Sequence, residues 1–128
     1  MVHYRDAGEA AALDASFAAL ADGTRRGVLR ELGRADRSIS ELAERFDMTL
    51  TGMRKHVAVL ESAGLVTTKK VGRVRTCRIG KRRLDEVTAW IDSYHRLWDQ
   101  RFTELDNVLE ELRQQQEKEK SHGRNDQR

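Results

Sequence analysis

A chain of 128 residues with no proline, one cysteine and 5% aromatics is sized for one domain with a tail and excludes a disulfide framework. No signal peptide and no bilayer-length apolar run is visible, so a cytoplasmic, nucleoid-associated protein is expected. The net charge of +3 hides a division: residues 49–83 hold ten Lys/Arg against one acid, Glu61, while residues 1–48 (seven basic, nine acidic) and 84–128 (seven basic, eleven acidic) are net negative. A basic centre between acidic flanks calls for a polyanion at that centre.

Residues 1–10 have little to bury and are expected to be loose. Residues 11–80 then carry the elements of a small helical domain. Leu13, Phe17 and Leu20 recur at helical spacing and give a first helix. Asp22 can cap a second, with Val28, Leu29 and Leu32 on its apolar face and Gly33 as its stop. Ala35 to Arg37 reads as a polar link. Ser38-Ile39-Ser40-Glu41 is a capping box, in which the serine accepts from the third amide and the glutamate reaches back to the serine's own amide. The helix it starts turns Ile39, Leu42, Ala43 and Phe46 inward. Asp47-Met48 leaves room only for the turn of a helix-turn-helix, with Asp47 in the left-handed region.

The helix after that turn organises the chain. Thr49 can cap it, and Gly64 and Leu65 can close it. Met53, Val57 and Leu60 form its dry face. Thr51, Gly52, Arg54, Lys55 and Ala58 fall largely on the other side, a small and basic surface suited to the major groove of DNA. After Gly64 the period changes from 3.6 to 2. Leu65–Lys70 and Val74–Ile79 are β-branched and alternating, with Gly72 between them, so a hairpin is expected with a basic tip of Lys69, Lys70, Arg73 and Arg75. A helix-turn-helix followed by a basic hairpin is a winged helix: a mostly α fold with a small β-hairpin, in which base reading falls to Thr51, Gly52, Arg54 and Lys55 and phosphate contacts to the cations.

From Lys81 onward no Gly or Pro intervenes before residue 123. Leu84, Val87, Ile91, Tyr94, Trp98, Phe102, Leu105, Leu109 and Leu112 step by three or four, with Trp90 joining the aromatic line. One helix over residues 81–112 would be roughly 48 Å long at ~1.5 Å per residue. A domain of this size is only about 30–35 Å across. The stripe therefore needs a second copy, and residues 81–112 read as a dimerisation helix. Residues 113–128, charged and glutamine-rich, are expected to be a disordered tail.

The stretches FAALADGTRRGVLREL, SISELAERFDMTLTGMRKHVAVLESAGLV and VTTKKVGRVRTCRI together resemble the ArsR/SmtB family of winged-helix repressors over about residues 13–80. The resemblance implies a homodimer joined through its first and last helices, which adds Leu13 and Phe17 to the interface. It also implies a repressor that occludes a promoter, its own included. On the recognition helix it adds Thr49, Leu50 and His56 to the DNA-contacting set. Gly23, Asp47 and Leu50 depart from the residues usual in the family, which are Pro, Gly and a polar residue such as Gln. Metal sensing, its best-known activity, is not expected. The third helix lacks paired cysteines, and the last offers only His95 with Asp92 and Asp99, short of the three or four ligands zinc takes.

No cofactor and no enzymatic activity are expected, because no nucleophile–base pair, carboxylate pair or phosphate loop is found. A redox role for Cys77 would require Arg75 and Arg78 to depress its pKa. The partners expected are double-stranded DNA, as an inverted-repeat operator, and a second copy; nothing singles out a small-molecule effector. The alternative reading is an interaction module that binds a protein or apolar ligand through the aromatic helix.

Overall fold

The computed structural model describes residues 7–126, with side chains through residue 121. Residues 1–6 and 127–128, the ends of the expected loose start and tail, lie outside the described residues. The elements run α1 (Ala7–Leu20), α2 (Gly23–Leu32), β1 (Arg37–Ser38), α3 (Ile39–Arg45), α4 (Leu50–Ser62), β2 (Val66–Val71), β3 (Val74–Ile79) and α5 (Lys81–Asp126). They divide between Thr88 and Ala89 into two compact units.

The first unit is a winged helix-turn-helix. Its core is drawn from every helix and from the base of the wing, with Ala19, Val28, Leu42, Met53, Leu60 and Leu65 fully buried. Both turns that set the recognition helix use one device. At the end of α3, Asp47 N–H donates to Glu44 O (3.2 Å) and Met48 N–H to Ala43 O (2.9 Å); at the end of α4, Gly64 N–H donates to Glu61 O (2.9 Å) and Leu65 N–H to Leu60 O (2.9 Å). These are paired Schellman bonds, and the residue between helix and exit is left-handed in each: Asp47 at φ 51 and Gly64 at φ 77. The capping box at Ser38 and Glu41 forms as expected, with Glu41 N–H donating to Ser38 Oγ at 3.1 Å.

Several expectations need correction. The polar link contains a two-residue strand, β1, whose Arg37 and Ser38 pair with Cys77 and Thr76 and make a three-stranded sheet of order β1-β3-β2. Two residues are too few to show a period. Gly33 does stop α2, as expected, but at φ −66, in the right-handed region, so its conformational freedom is not used. Helix α1 begins at Ala7, inside the segment expected to be loose, because alanines extend it without needing a face to bury. Helix α5 runs past Leu112 to Asp126: the run RQQQEKEK has no apolar stripe but consists of good helix formers. Leu84 and Val87, assigned to the dimer seam, belong to the first unit. Val87 is buried and Leu84 packs on the core, where the opening turns of α5 meet it.

The second unit is the remainder of α5. Its large apolar side chains, from Trp90 to Leu112, are all exposed, and Leu97 and Val108 join the expected stripe. Trp90 and Tyr94 rings lie 4.3 Å apart, and Tyr94 and Trp98 meet edge-on at 6.0 Å.

Candidate nucleic-acid interface

Thr49 opens the recognition helix by accepting the Gly52 amide on its hydroxyl oxygen at 3.0 Å. Met53, Val57 and Leu60 anchor one side of α4 in the core. Leu50, Thr51, Arg54 and Lys55 are thereby left exposed in its first turns. Gly52 is half-buried, and a Cβ there would stand 3.0 Å from the Thr49 hydroxyl, so the residue keeps the cap intact.

His56 does not share that outward face. It is half-buried, with Nδ1 3.4 Å from Arg25 Nη1. Arg25 in turn donates through Nε to Ala19 O (2.7 Å) and through Nη2 to Ala18 O (3.3 Å), while Arg26 donates to Leu20 O (2.8 Å). The two arginines satisfy the last carbonyls of α1, the groups every helix end leaves open. Asp22, capping α2 through the Arg25 amide at 3.0 Å, completes the corner; that amide holds its carboxyl below the usual carboxylate range. Nothing in the sequence alone assigns the Thr24-Arg25-Arg26 run this role; its one local signal is an arginine pair just past the end of a helix.

In the wing, β2 and β3 place Lys70 opposite Arg75 and Lys69 opposite Thr76. Gly72 opens the two-residue turn at φ 62, as the first position of a type II′ hairpin allows. Lys69, Lys70, Arg73 and Arg75 are all exposed. Like charges facing across a ribbon repel unless an anion lies against them.

Recognition helix and wing wall a cleft of about 520 Å³, into which Leu50, Arg54, Lys70, Arg73 and Arg75 converge with Ser38 and Ser40 from the start of α3. Thr51, Lys55 and Lys69 lie outside its lining. Glu61 and Thr68 also line it. The Thr68 hydroxyl donates to the Glu61 carboxylate and accepts from Arg75 Nη1 at 2.8 Å. Glu61 stood out in the sequence only as the one acid of the basic segment.

Cys77 is fully buried in β3. Burial pushes its thiol up to about 11, the Glu61 charge adds to the rise, and Arg75 offsets part of it. The depressed pKa that a redox role needs is absent. Thiolate is the reactive form and the sulfur is buried from reagent, so native Cys77 should alkylate at pH 8 at least about a hundredfold more slowly than in denatured protein. The native rate should still climb between pH 9 and 11, followed by mass spectrometry. On α5, His95 and Asp99 pair at 3.0 Å, and among the described residues no three His, Cys, Asp or Glu come together to hold a metal ion. No described helix is long and apolar enough to cross a membrane.

A capped recognition helix, its helix-turn-helix partner and a cationic wing define a winged helix-turn-helix DNA-binding domain. Residues 20–69 match the family model described as a helix-turn-helix domain. The chain is 39% identical over 87 residues to the uncharacterized HTH-type transcriptional regulator YuzN of Bacillus subtilis, covering 62% of this chain and 95% of that protein. The crystal structure of an ArsR family transcriptional regulator matches at 43% identity and TM-score 0.66, over 77% of this chain and 97% of that one. The solution structure of a homodimeric winged helix-turn-helix DNA-binding domain from Mycobacterium bovis shares the fold at 24% identity and TM-score 0.60, over 75% of this chain and 89% of that one. The chain belongs to the ArsR family of transcriptional regulators.

Proposed function

We propose that the protein is a homodimeric repressor that occludes a promoter, its own among the candidates, by gripping an inverted-repeat operator in the cytoplasm. The observation that carries the DNA reading is the convergence of Arg54, Lys70, Arg73 and Arg75 on one cleft beside the exposed first turns of α4. On this reading, Arg54 from the cleft and Thr51 and Lys55 beside it face base edges. Leu50, exposed and apolar, has only a thymine methyl to read. Lys69, Lys70, Arg73 and Arg75 hold phosphates, and His56 supports the helix from behind through Arg25. Homodimerisation is supported by the exposed stripe from Trp90 to Leu112, with half-buried Leu13 and Phe17 of α1 as further candidates. A solitary chain has nothing in its second unit to cover that stripe.

The test separates reading from holding. An operator is selected from random duplexes with purified protein, and variants are titrated against it and against unrelated DNA. Arg54→Ala or Lys55→Ala should cost about 1–3 kcal/mol on the operator and relax its preferred sequence. Arg73→Ala should weaken both duplexes alike and lower the salt slope by about 1. Variants that bind both duplexes as the wild type does would show that the surface is misassigned.

A further inference from the structure

Glu61 is out of place on three counts. It is the one acid among residues 49–83, which carry ten cations. It lies in the last turn of α4, which has no basic residue and where the helix dipole disfavours a carboxylate. It also lines the cleft that Arg54, Lys70, Arg73 and Arg75 make attractive to phosphate. A carboxylate there weakens the grip on any DNA.

What it does is visible in its partners. The Thr68 hydroxyl has one proton, and that proton goes to Glu61. Its lone pair is thereby turned to Arg75, whose Nη1 donates to it at 2.8 Å. The chain Glu61–Thr68–Arg75 ties the recognition helix to both strands of the wing and fixes the direction of one wing guanidinium. Arg73, at the turn, is not part of that chain and follows the flexibility of its own stem.

We propose that Glu61 is a positioning residue for DNA selectivity. Through Thr68 it aims Arg75 at one phosphate position relative to α4, and by its charge it lowers affinity for every duplex, a loss offset only by DNA that presents a phosphate at that position. A tethered arginine rewards only DNA whose backbone runs where the recognition helix is in register; a loose one finds a phosphate on any duplex. The proposal rests on the DNA-binding role of the cleft and goes beyond it by assigning the acid in it.

Two variants divide the role. Glu61→Gln keeps an acceptor for Thr68 and removes the charge. Thr68→Val keeps the charge and removes the link. Each full-length variant is titrated with the selected operator and with a random duplex of equal length, at several salt concentrations, after its thermal unfolding has been compared with wild type. Glu61→Gln should tighten random-duplex binding by roughly twofold to fivefold, the size of one exposed charge interaction, with a smaller gain on the operator. Thr68→Val should lower the operator-to-random ratio mainly by loosening the operator complex. A residue that only stabilised the fold would shift the melting temperature and both affinities together. Unchanged ratios in both variants, or equal losses on both duplexes, would overturn the proposal. A wild type whose binding to either duplex ignores salt would instead overturn the DNA reading of the cleft itself.

Discussion

Trp98→Lys and Leu105→Lys are each expected to split the proposed dimer and to lower affinity for a full operator by about 10²–10⁴-fold while leaving half-site affinity near wild type. Ile91, Trp98, Leu105 and Leu112 recur at intervals of seven along α5, and all four are exposed in the single chain. An interval of seven keeps a stripe facing a partner helix. A second line, three residues after Ile91, Trp98 and Leu105, is broken in the middle: Arg101 stands where Tyr94 and Val108 stand in the neighbouring repeats, and Phe102 takes up the contact one step later. Arg101 also decides the choice of test. It lies about one helical turn from both Trp98 and Leu105, so a glutamate at either place would gain a partner, whereas a lysine leaves a cation unpaired in an apolar seam. Neither position belongs to the unit that holds the recognition helix and wing, so the residues proposed to contact DNA are unchanged. A two-fold dimer presents two recognition helices, and half-sites should lie roughly 10 bp apart, centre to centre. With the seam broken, the second half-site is no longer engaged intramolecularly. Sedimentation of wild type and variants, with titrations on full and half operators, checks both parts. A wild type that sediments as a monomer, or a seam variant that still grips the full site, would return α5 to the alternative role of holding a partner or apolar ligand.

How far the chain could be read from its residues follows from where the signals are local. Caps, turns and dry faces depend on residues a few positions apart, so the capping box at Ser38, the left-handed Asp47, the Thr49 cap and the Gly64 exit are all legible in sequence. The hairpin is legible because its alternation lasts six residues on each side. Strand β1 is not, since two residues pair only because β3 arrives beside them. In the site, the exposed positions of α4 and the wing cations follow from periodicity. The inward turn of His56 depends on Arg25, 31 residues earlier, and the Thr68 link between Glu61 and Arg75 depends on the register of the wing against α4. Leu84 and Val87 show the same limit. Their spacing continues the stripe of α5, and only the fold tells that the core of the first unit reaches them.

Gly80→Ala is expected to be the most damaging glycine-to-alanine change among the described glycines. Gly80 joins β3 to α5; its amide donates to Leu65 O at 2.8 Å and its carbonyl accepts from the Leu84 amide at 3.2 Å. A Cβ on it would stand 2.1 Å from Gly64 O, 3.0 Å from Leu65 C and 3.1 Å from Gly64 C. All three atoms are backbone, and they belong to the Schellman exit of the recognition helix, so no side chain can swing aside to make room. The methyl must push the exit of α4 away from the start of α5 and strain the bonds that close the helix. Overpacking of this kind costs about 1–3 kcal/mol, and more where nothing can relax. Against a total of about 5–15 kcal/mol for a small domain, that is a large share. Gly72→Ala supplies the contrast. Nothing lies within 4 Å of a Cβ there, and the cost is that of an L residue at φ 62, about 1–2 kcal/mol. Thermal and urea unfolding of the two variants separates a steric glycine from a conformational one. Equal losses at the two positions would show that the Gly64–Gly80 contact does not constrain the fold.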